Sequence, residues 1–200
     1  MSDAHLFVLG ARGSIPVSGP DFVRYGGNTT SFAIVVDDVA VAFVDAGTGL
    51  SSYRSYGVRI GGAVAIFLSH YHWDHIQGLT MLDQLWKGAC DIRVFGPGSP
   101  CETLSAAIRP PYFPVAIDDA AITYEPIIEP VEIAGIVFTA FPLHHPQGAV
   151  GYRIDGPKRS IAVVADHESG TAVDAEVRAA ITGVDVLIHD AQYLPEEAGE

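Results

Sequence analysis

Apolar runs of strand length, separated by residues that favour turns, fill the first part of the chain. AHLFVLGARGS predicts an opening strand that breaks at Gly10, and SFAIVVDDVAVAFVDAG predicts two strands joined at Asp37 and Asp38. Val and Ile enrichment around a turn-favouring pair is typical of a β-hairpin. The intervening RGSIPVSGPDFVRYGGNT has glycine and proline at the density of a loop. The front of the molecule is therefore predicted to be rich in strands.

The rest of the chain alternates predicted strands with helical segments. Residues 63–69 form a continuous apolar run, as expected for a strand covered on both faces, and residues 75–85 carry apolar residues at helical spacing. DIRVFG predicts a strand, and CETLSAAI predicts a short helix ended by Pro110 and Pro111. Further strands are predicted at ITYEPI, VEIAGIVFTAFPL, AVGYRI, SIAVVAD and VDVLIHD, the last of them buried, with a helix at AVDAEVRAAI.

This order of elements predicts an α/β or α+β fold in layers, with a mixed sheet. No low-complexity segment, repeat or linker interrupts residues 1–200. The sequence therefore predicts a single domain.

Composition and charge narrow the classes of function. With 48% hydrophobic residues the chain is not a disordered one, and its formal net charge of -13 repels polyanions such as nucleic acids. A small anionic substrate stays compatible if metal ions supply the local positive charge. Two cysteines are too few for a disulfide framework. No leader begins the chain and no apolar run reaches the ~18 to 20 residues of a membrane span, so we expect a cytoplasmic protein.

Residues that can bind metals follow several predicted strands at the point where each strand ends. The predicted strand at 63–69 overlaps the start of IFLSHYHWDHIQGL, residues 66–79. This segment contains three of the eight histidines of the chain, all after the strand. Buried charges need a partner or a metal, and functional groups concentrate on loops held by a rigid scaffold. We therefore expect these strand ends to converge on one site; the candidate residues are His70, His72, Asp74, His75, His144, His145, Asp166, His189 and Asp190.

The donor types and their spacing indicate a pair of metal ions. Imidazole and carboxylate together suit Zn²⁺, with Mn²⁺ or Fe²⁺ as competitors. His70 and His72 are two positions apart and can face the same side of an extended segment, whereas Asp74 and His75 can address a neighbouring ion. Without a metal, such a cluster of imidazoles would repel on protonation. The spacing favours two ions over one.

The same residues carry a family resemblance. HYHWDH after an apolar strand resembles the H-x-H-x-D-H signature of the metallo-β-lactamase fold, an αββα sandwich with a dinuclear metal site at one edge of its sheets. GARGSIPVSGPDFVRYGGNTTS, DAGTGL, HHPQGAVGYRI, VVADHE and LIHDAQY resemble, in that order, blocks of the ribonuclease Z-like and phosphoribosyl cyclic phosphate phosphodiesterase-like branches. The resemblance covers nearly the whole chain.

The resemblance implies ligands for the first metal. His70 and His72 match two of them, and either His144 or His145 matches the third. We choose His145, because the family places its ligand directly before a turn that leads into Gly-Tyr-Arg. Asp166 matches the carboxylate that bridges the two ions.

The resemblance also implies ligands for the second metal and the residues that support them. Asp74 and His75 match ligands of the second ion. Asp45 matches an aspartate that supports the site by receiving the N–H of a ligand, with an ordinary turn residue as the alternative. Asp190 matches an acidic residue that orients a later catalytic histidine, and His189 is expected to be packed or hydrogen-bonded instead of metal-bound.

Five further residues near these blocks are assigned more weakly. His167 and Glu168 lie beside Asp166, and we leave both out of the ligand set. Tyr152 and Arg153 are candidates for a wall of the substrate pocket, although an ordinary strand explains them equally well. Tyr112, in RPPYFPV, is a candidate for an aromatic flap over the site, with surface packing as the alternative.

The chain departs from the familiar pattern after LIHDAQY. A Gly-His-Ser/Thr block and a last histidine that completes the second metal do not follow, and the sequence ends at YLPEEAGE. The chain is a fragment that lacks a final strand and helix, or another chain or solvent completes the site, or catalysis is impaired. We expect the first, and an exposed apolar side of the sheet would then favour homo-oligomers.

The main hypothesis is a metal-dependent phosphodiesterase. Two ions about 3.5 to 4 Å apart would hold a bridging hydroxide and neutralise charge on the phosphoryl oxygens. Asp74 would orient that water or accept its proton. The net charge of -13 favours a small or cyclic phosphodiester over tRNA. The alternatives are hydrolysis of a lactone, thioester or β-lactam at the same ions, 3' processing of tRNA, and a catalytically impaired metal-binding domain.

Overall fold

The computed structural model describes residues 4–191 and divides the chain into two units, Met1–Ile128 and Glu129–Glu200. Each unit contains its own sheet. The predicted mixed α/β class is confirmed, because both sheets are accompanied by helices within their own unit.

The sheet of the first unit has six strands in the order in which they occur along the chain. The first, second and third strands pair antiparallel, and the third to the sixth strands pair parallel, so the third strand has one neighbour of each kind. The predicted mixed sheet is therefore confirmed. The strands are β1 (Ala4–Gly10), β2 (Ser31–Val36), β3 (Val39–Val44), β4 (Arg59–Phe67), β5 (Asp91–Gly96) and β6 (Ile122–Pro126).

The predicted hairpin joins β2 to β3 through a two-residue turn. Asp37 and Asp38 both adopt left-handed backbone angles, with φ of 50° and 61°. Two left-handed residues in succession match the twist of the flanking strands, and aspartate tolerates this conformation better than most residues. The hairpin was predictable because both signals, the turn pair and the β-branched runs, are local.

The helical regions of the first unit are short. They comprise α1 (Trp73–Ile76), α2 (Asp83–Lys87) and α3 (Pro100–Ala107), with 3₁₀ turns at Pro20–Phe22, Thr48–Tyr56, Gln77–Met81 and Ile117–Asp119. Within residues 4–191, no helix combines the length and the apolar character that crossing a membrane requires.

The single helix predicted over residues 75–85 is wrong. The segment is divided among α1, a 3₁₀ turn and α2, and Leu82 is extended between the last two. The cause is a backbone contact: the amide of Gly78 donates to the carbonyl of Ala46, and a Cβ on Gly78 would lie 2.0 Å from the carbonyl oxygen of Gly47. The apolar spacing still marks burial, since Leu79 and Leu85 are fully enclosed.

The second unit contains a five-stranded sheet and one helix among its described residues. Its strand order is β11-β10-β9-β8-β7, with β10 and β11 parallel and the other pairs antiparallel. The elements are β7 (Val131–Ile133), β8 (Ile136–Leu143), β9 (Ala149–Asp155), β10 (Ser160–Val164), α4 (Val173–Ile181) and β11 (Val186–His189).

Two predictions in the second unit need correction. The candidate strand VEIAGIVFTAFPL is two strands, because Ala134 and Gly135 both have positive φ and form a hairpin turn. The last predicted strand is not buried: Val186 and Leu187 are 44% and 45% exposed. Strand β11 is the edge of the described sheet and pairs on one side only, so its apolar content does not reflect enclosure.

Candidate metal centre

The segment that follows β4 holds the predicted ligands of the first unit. The hydrogen-bond ladder between β4 and β5 continues past the end of β4, because the amide of Leu68 donates to the carbonyl of Phe95. Tyr71, between the first two histidines, donates from its hydroxyl to the carbonyl of Pro97 at 2.7 Å. A Cβ on Gly96 would lie 2.5 Å from that hydroxyl, so glycine makes the room for it. The end of β5 thereby anchors the segment that carries the histidines.

Three imidazoles lie together in this segment. The ring of His70 is 4.4 Å from that of His72 and 4.1 Å from that of His75, measured between centroids. His70 and His72 each present a potential ligand atom within 4.8 Å of the other. His70 is 2% exposed and His75 is fully buried. The three rings therefore form one compact cluster of potential ligands, two of them enclosed by the protein.

Asp74 is buried beside these rings in the first turn of α1. Its Oδ2 accepts from the backbone amide of Ser14 at 2.7 Å and lies 3.5 Å from Nε2 of His75. Burial alone would raise its pKa, but the hydrogen bond and charge of His75, with the amide of Ser14, outweigh burial and lower the pKa of Asp74 to about 2. Asp74 is therefore an anion at neutral pH.

Asp45 supports the histidines from the end of β3. It is fully buried, and its Oδ2 lies 2.8 Å from Nδ1 of His75. Its Oδ1 accepts from the backbone amide of Ser69 at 2.8 Å. A carboxylate that receives the Nδ1–H of an imidazole fixes the tautomer that has Nε2 available as a ligand. The supporting role of Asp45 toward a metal ligand stays a prediction.

A glycine-lined turn joins this carboxylate to the segment of Asp74 and His75. The amide of Ala46 donates to the carbonyl of His75 at 2.8 Å, and a Cβ on Gly47 would lie 2.2 Å from the carbonyl oxygen of Asp74. Sequence reasoning identified DAGTGL as a block but missed Gly47 and Ser69. Two glycines shortly after Asp45 signal a turn with close backbone contacts, and this pattern could have identified Gly47. Nothing in the sequence pattern distinguishes Ser69 from other serines.

The second unit brings His145 and Asp166 together. They follow β8 and β10, whose carboxyl ends lie at the same edge of the sheet because both strands run antiparallel to β9. Nε2 of His145 is 3.6 Å from Oδ2 of Asp166, and its Nδ1 is 3.3 Å from Oε1 of Glu168. Each of His145 and Asp166 presents a ligand atom within 4.8 Å of the other. Sequence reasoning left Glu168 without a role, and the structure makes it a partner of His145.

The neighbouring histidines are engaged in the loops around this pair. Nδ1 of His144 lies 3.1 Å from the carbonyl oxygen of Glu168, and the backbone amide of His144 donates to Nδ1 of His167. Nε2 of His167 is 3.3 Å from Oδ1 of Asp174. These contacts hold the loop after β8 against the loop after β10. The choice of His145 over His144 and the exclusion of His167 from the ligand set stay predictions.

The residues at the end of β11 are exposed. Nδ1 of His189 lies 2.7 Å from the carbonyl oxygen of Asp190, whose backbone amide donates to the carbonyl of Val164. This is the hydrogen-bonded setting expected for His189. The role of Asp190 toward a later histidine stays a prediction.

The candidate substrate residues lie in different settings. Tyr152 is fully buried, which argues against a pocket wall, because an enclosed side chain offers no surface to a substrate. Arg153 donates to Asp155 and to the backbone carbonyls of Ala180 and Thr182, so it holds β9 to the end of α4. Tyr112 is 76% exposed, and its role as a flap stays a prediction.

Comparison with sequence families gives one match over most of the chain. The model of a family described as the beta-lactamase superfamily domain matches residues 42–199, which include every residue predicted above as a ligand. No curated protein matches the chain by sequence.

Solved structures resemble the chain in fold. The metallo-beta-lactamase fold protein YhfI from Bacillus subtilis has a TM-score of 0.61 at 18% identity, covering 82% of this chain and 62% of its own. Zn²⁺-bound PqqB from Methylobacterium extorquens has a TM-score of 0.67 at 17% identity, with 93% and 72% covered. The short form of human tRNase Z has a TM-score of 0.67 at 16% identity, with 96% and 79% covered. At these identities the likeness shows the fold alone, and the chain spans 62% of the length of YhfI.

Proposed function

Because this chain belongs to the beta-lactamase superfamily domain family, we propose that it is a metal-dependent hydrolase that cleaves a small or cyclic phosphodiester with two divalent ions, Zn²⁺ foremost. The observation that carries the proposal is the cluster of His70, His72 and His75 beside an anionic Asp74, with Asp45 holding Nδ1 of His75. A set of imidazoles and carboxylates is the donor set that zinc hydrolases use.

The residues present fit such ions. We propose His70, His72 and His145 as ligands of the first ion, Asp74 and His75 as ligands of the second, and Asp166 as the ligand that both share. The first unit supplies four of these six residues, and their imidazole and carboxylate donors are already gathered there. When bound, divalent ions would neutralise charge on phosphoryl oxygens and acidify a water molecule.

Asp74 is proposed to orient the attacking water. Its pKa of about 2 makes it a weak base near neutral pH, since general-base catalysis is most efficient when the pKa lies near the working pH. The amide of Ser14 fixes the carboxylate through Oδ2. Orientation of the water is thus the role that we propose for Asp74.

The preference for a small substrate rests on charge. A formal net charge of -13 opposes a long polyanion, whereas two bound ions would create a local positive site for one phosphodiester group. One structural neighbour is a tRNase Z, so a precursor tRNA is among the substrates to be tested.

The test combines metal analysis with parallel assays on the purified chain. We expect two zinc ions per chain and hydrolysis of bis(p-nitrophenyl) phosphate or a cyclic phosphodiester, with loss of both on treatment with a chelator. A preference for a lactone or a thioester would overturn the phosphodiesterase assignment, and so would equally efficient cleavage of a precursor tRNA. One bound ion without turnover of any substrate would indicate a metal-binding domain instead.

A further inference from the structure

Ser69 lies where the supporting contacts of two predicted ligands meet. The residue is 2% exposed and follows β4 directly before His70. Its Oγ is 2.9 Å from each carboxylate oxygen of Asp45, 3.0 Å from Nδ1 of His70 and 3.3 Å from Nδ1 of His75. One buried hydroxyl therefore touches a carboxylate and two imidazoles.

Counting protons decides the direction of these hydrogen bonds. A serine hydroxyl has one proton to donate and two lone pairs, and an ionised carboxylate only accepts. If Ser69 donated to His70, its oxygen and the oxygens of Asp45 would face each other as acceptors at 2.9 Å. The hydroxyl therefore donates to Asp45, and the oxygen of Ser69 accepts the Nδ1–H of His70.

His75 also has its proton on Nδ1. This nitrogen lies 2.8 Å from Oδ2 of Asp45, and an ionised carboxylate only accepts hydrogen bonds, so Nδ1 must be the donor. Both imidazoles then carry a proton on Nδ1, so Nε2 is the atom that would bind a metal. His70 and His75 are proposed ligands of different ions, yet both tautomers depend on the carboxylate of Asp45, directly for His75 and through Ser69 for His70.

We propose that Ser69 is a positioning residue that couples the two metal positions, by linking the tautomer of His70 to the carboxylate that also sets the tautomer of His75. The inference rests on the proposed function, because it takes both histidines as ligands. Removing the hydroxyl takes away the acceptor for His70 and a hydrogen-bond donor to Asp45, which holds His75. The proposal therefore predicts weaker binding of both ions. Loss of a partner that orients a ligand lowers metal affinity by about 10 to 100-fold.

Ser31 provides a matched control. It is also fully buried, and its hydroxyl also reaches Asp45, but it donates to the backbone carbonyl at 3.0 Å and not to the carboxylate. Ser31→Ala removes a buried hydroxyl next to the same residue and leaves the contacts of the imidazoles intact. Ser69→Thr keeps the hydroxyl at the coupled position.

The experiment measures imidazole tautomers and zinc affinity separately. In the metal-free wild-type chain, two-dimensional ¹H–¹⁵N spectra of the histidine rings should show His70 and His75 protonated on Nδ1. Ser69→Ala should shift the tautomer of His70 and weaken both zinc-binding steps in competition with a chromophoric chelator. Ser31→Ala and Ser69→Thr should retain the wild-type tautomers and affinities.

Several outcomes would overturn the inference. It fails if wild-type His70 carries its proton on Nε2, a result that needs no variant and no metal. It also fails if Ser69→Ala binds both ions as tightly as the wild type, or if Ser31→Ala weakens zinc binding equally. A wild-type chain with the expected tautomers that binds no zinc would overturn the proposed function while leaving the hydrogen bonds of Ser69 in place.

Discussion

At the scale of the residue, Asp45 is the group on which the arrangement in the first unit depends most. It is fully buried, and its carboxylate contacts Ser69 and His75. Its backbone is left-handed, with φ of 56°, a conformation that aspartate and asparagine adopt more readily than other side chains. A change from aspartate to asparagine therefore removes the charge of the side chain while keeping a residue that tolerates the left-handed backbone.

We expect Asp45→Asn to lower zinc affinity by about 10 to 100-fold, because the neutral amide is a weaker acceptor for the Nδ1–H of His75. Asp38→Asn is the matched control, since Asp38 is also left-handed, with φ of 61°, but lies exposed in the hairpin turn. Chelator competition on both variants measures the effect. Equal zinc affinities in the two variants would show that the charge of Asp45 does not support the ligands.

Tyr124 provides a test by pH that is independent of any metal. Among the described residues its buried hydroxyl has no hydrogen-bond partner, and burial, with smaller contributions from Cys101 and Asp118, raises its pKa. The folded protein keeps this proton where the unfolded chain loses it above about pH 10, so the stability linked to Tyr124 is lost as the pH rises above that value.

We expect Tyr124→Phe to raise the free energy of unfolding at pH 7 by about 1 kcal/mol, because it removes a buried polar group without a partner. The loss of stability above about pH 10 should also become shallower. Urea unfolding at pH 7 and pH 10.5 measures both effects, with Tyr25→Phe, 79% exposed, as the control. A destabilised variant at pH 7 would show that the hydroxyl contributes a favourable contact.

At the scale of the element, local signals predicted strands well and failed where distant segments meet. The hairpin of β2 and β3 and the strand β5 follow from runs and turn residues that are adjacent in sequence. The break in the helix predicted over 75–85 depends on a contact between Gly78 and Gly47, which no local pattern encodes. Strand β11 shows the converse, since its apolar run suggested burial that its edge position does not provide.

The contact between Gly78 and Gly47 can be tested directly. We expect Gly78→Ala to lower the free energy of unfolding by about 1 to 3 kcal/mol, because the added methyl group would overlap the carbonyl of Gly47 in a closed space. Zinc affinity should fall as well, since Gly78 is bonded to the turn that contacts Asp74 and His75.

Gly62→Ala is the control for this variant, because a Cβ there meets no atom within 4 Å. Chemical denaturation of the two metal-free variants measures the difference in stability. If Gly78→Ala were as stable as Gly62→Ala, the backbone contact could not be the cause of the break in the predicted helix.

At the scale of the whole molecule, the two units differ in how their proposed ligands could be predicted from the sequence. HYHWDH predicted the clustered histidines of the first unit from spacing alone, because the ligands are adjacent in sequence. His145 and Asp166 are 21 positions apart, and the family resemblance, not the spacing, identified them. Ser69, Ser14 and Glu168 were missed, because each contacts a proposed ligand or its neighbour in a way that depends on the folded backbone.

Zinc titration of unfolding tests whether ligands from both units serve the same ions. A ligand at 100 times its dissociation constant stabilises a folded protein by about 2.7 kcal/mol, so zinc should raise the unfolding free energy of the wild type by that amount at such a concentration. His145→Ala should reduce both this gain and the number of bound ions. His189→Ala should change neither, because His189 is exposed and engaged with its neighbour Asp190. Two ions bound at undiminished affinity by His145→Ala would remove His145 from the proposed ligand set, and the second unit would then contribute through Asp166 alone or not at all.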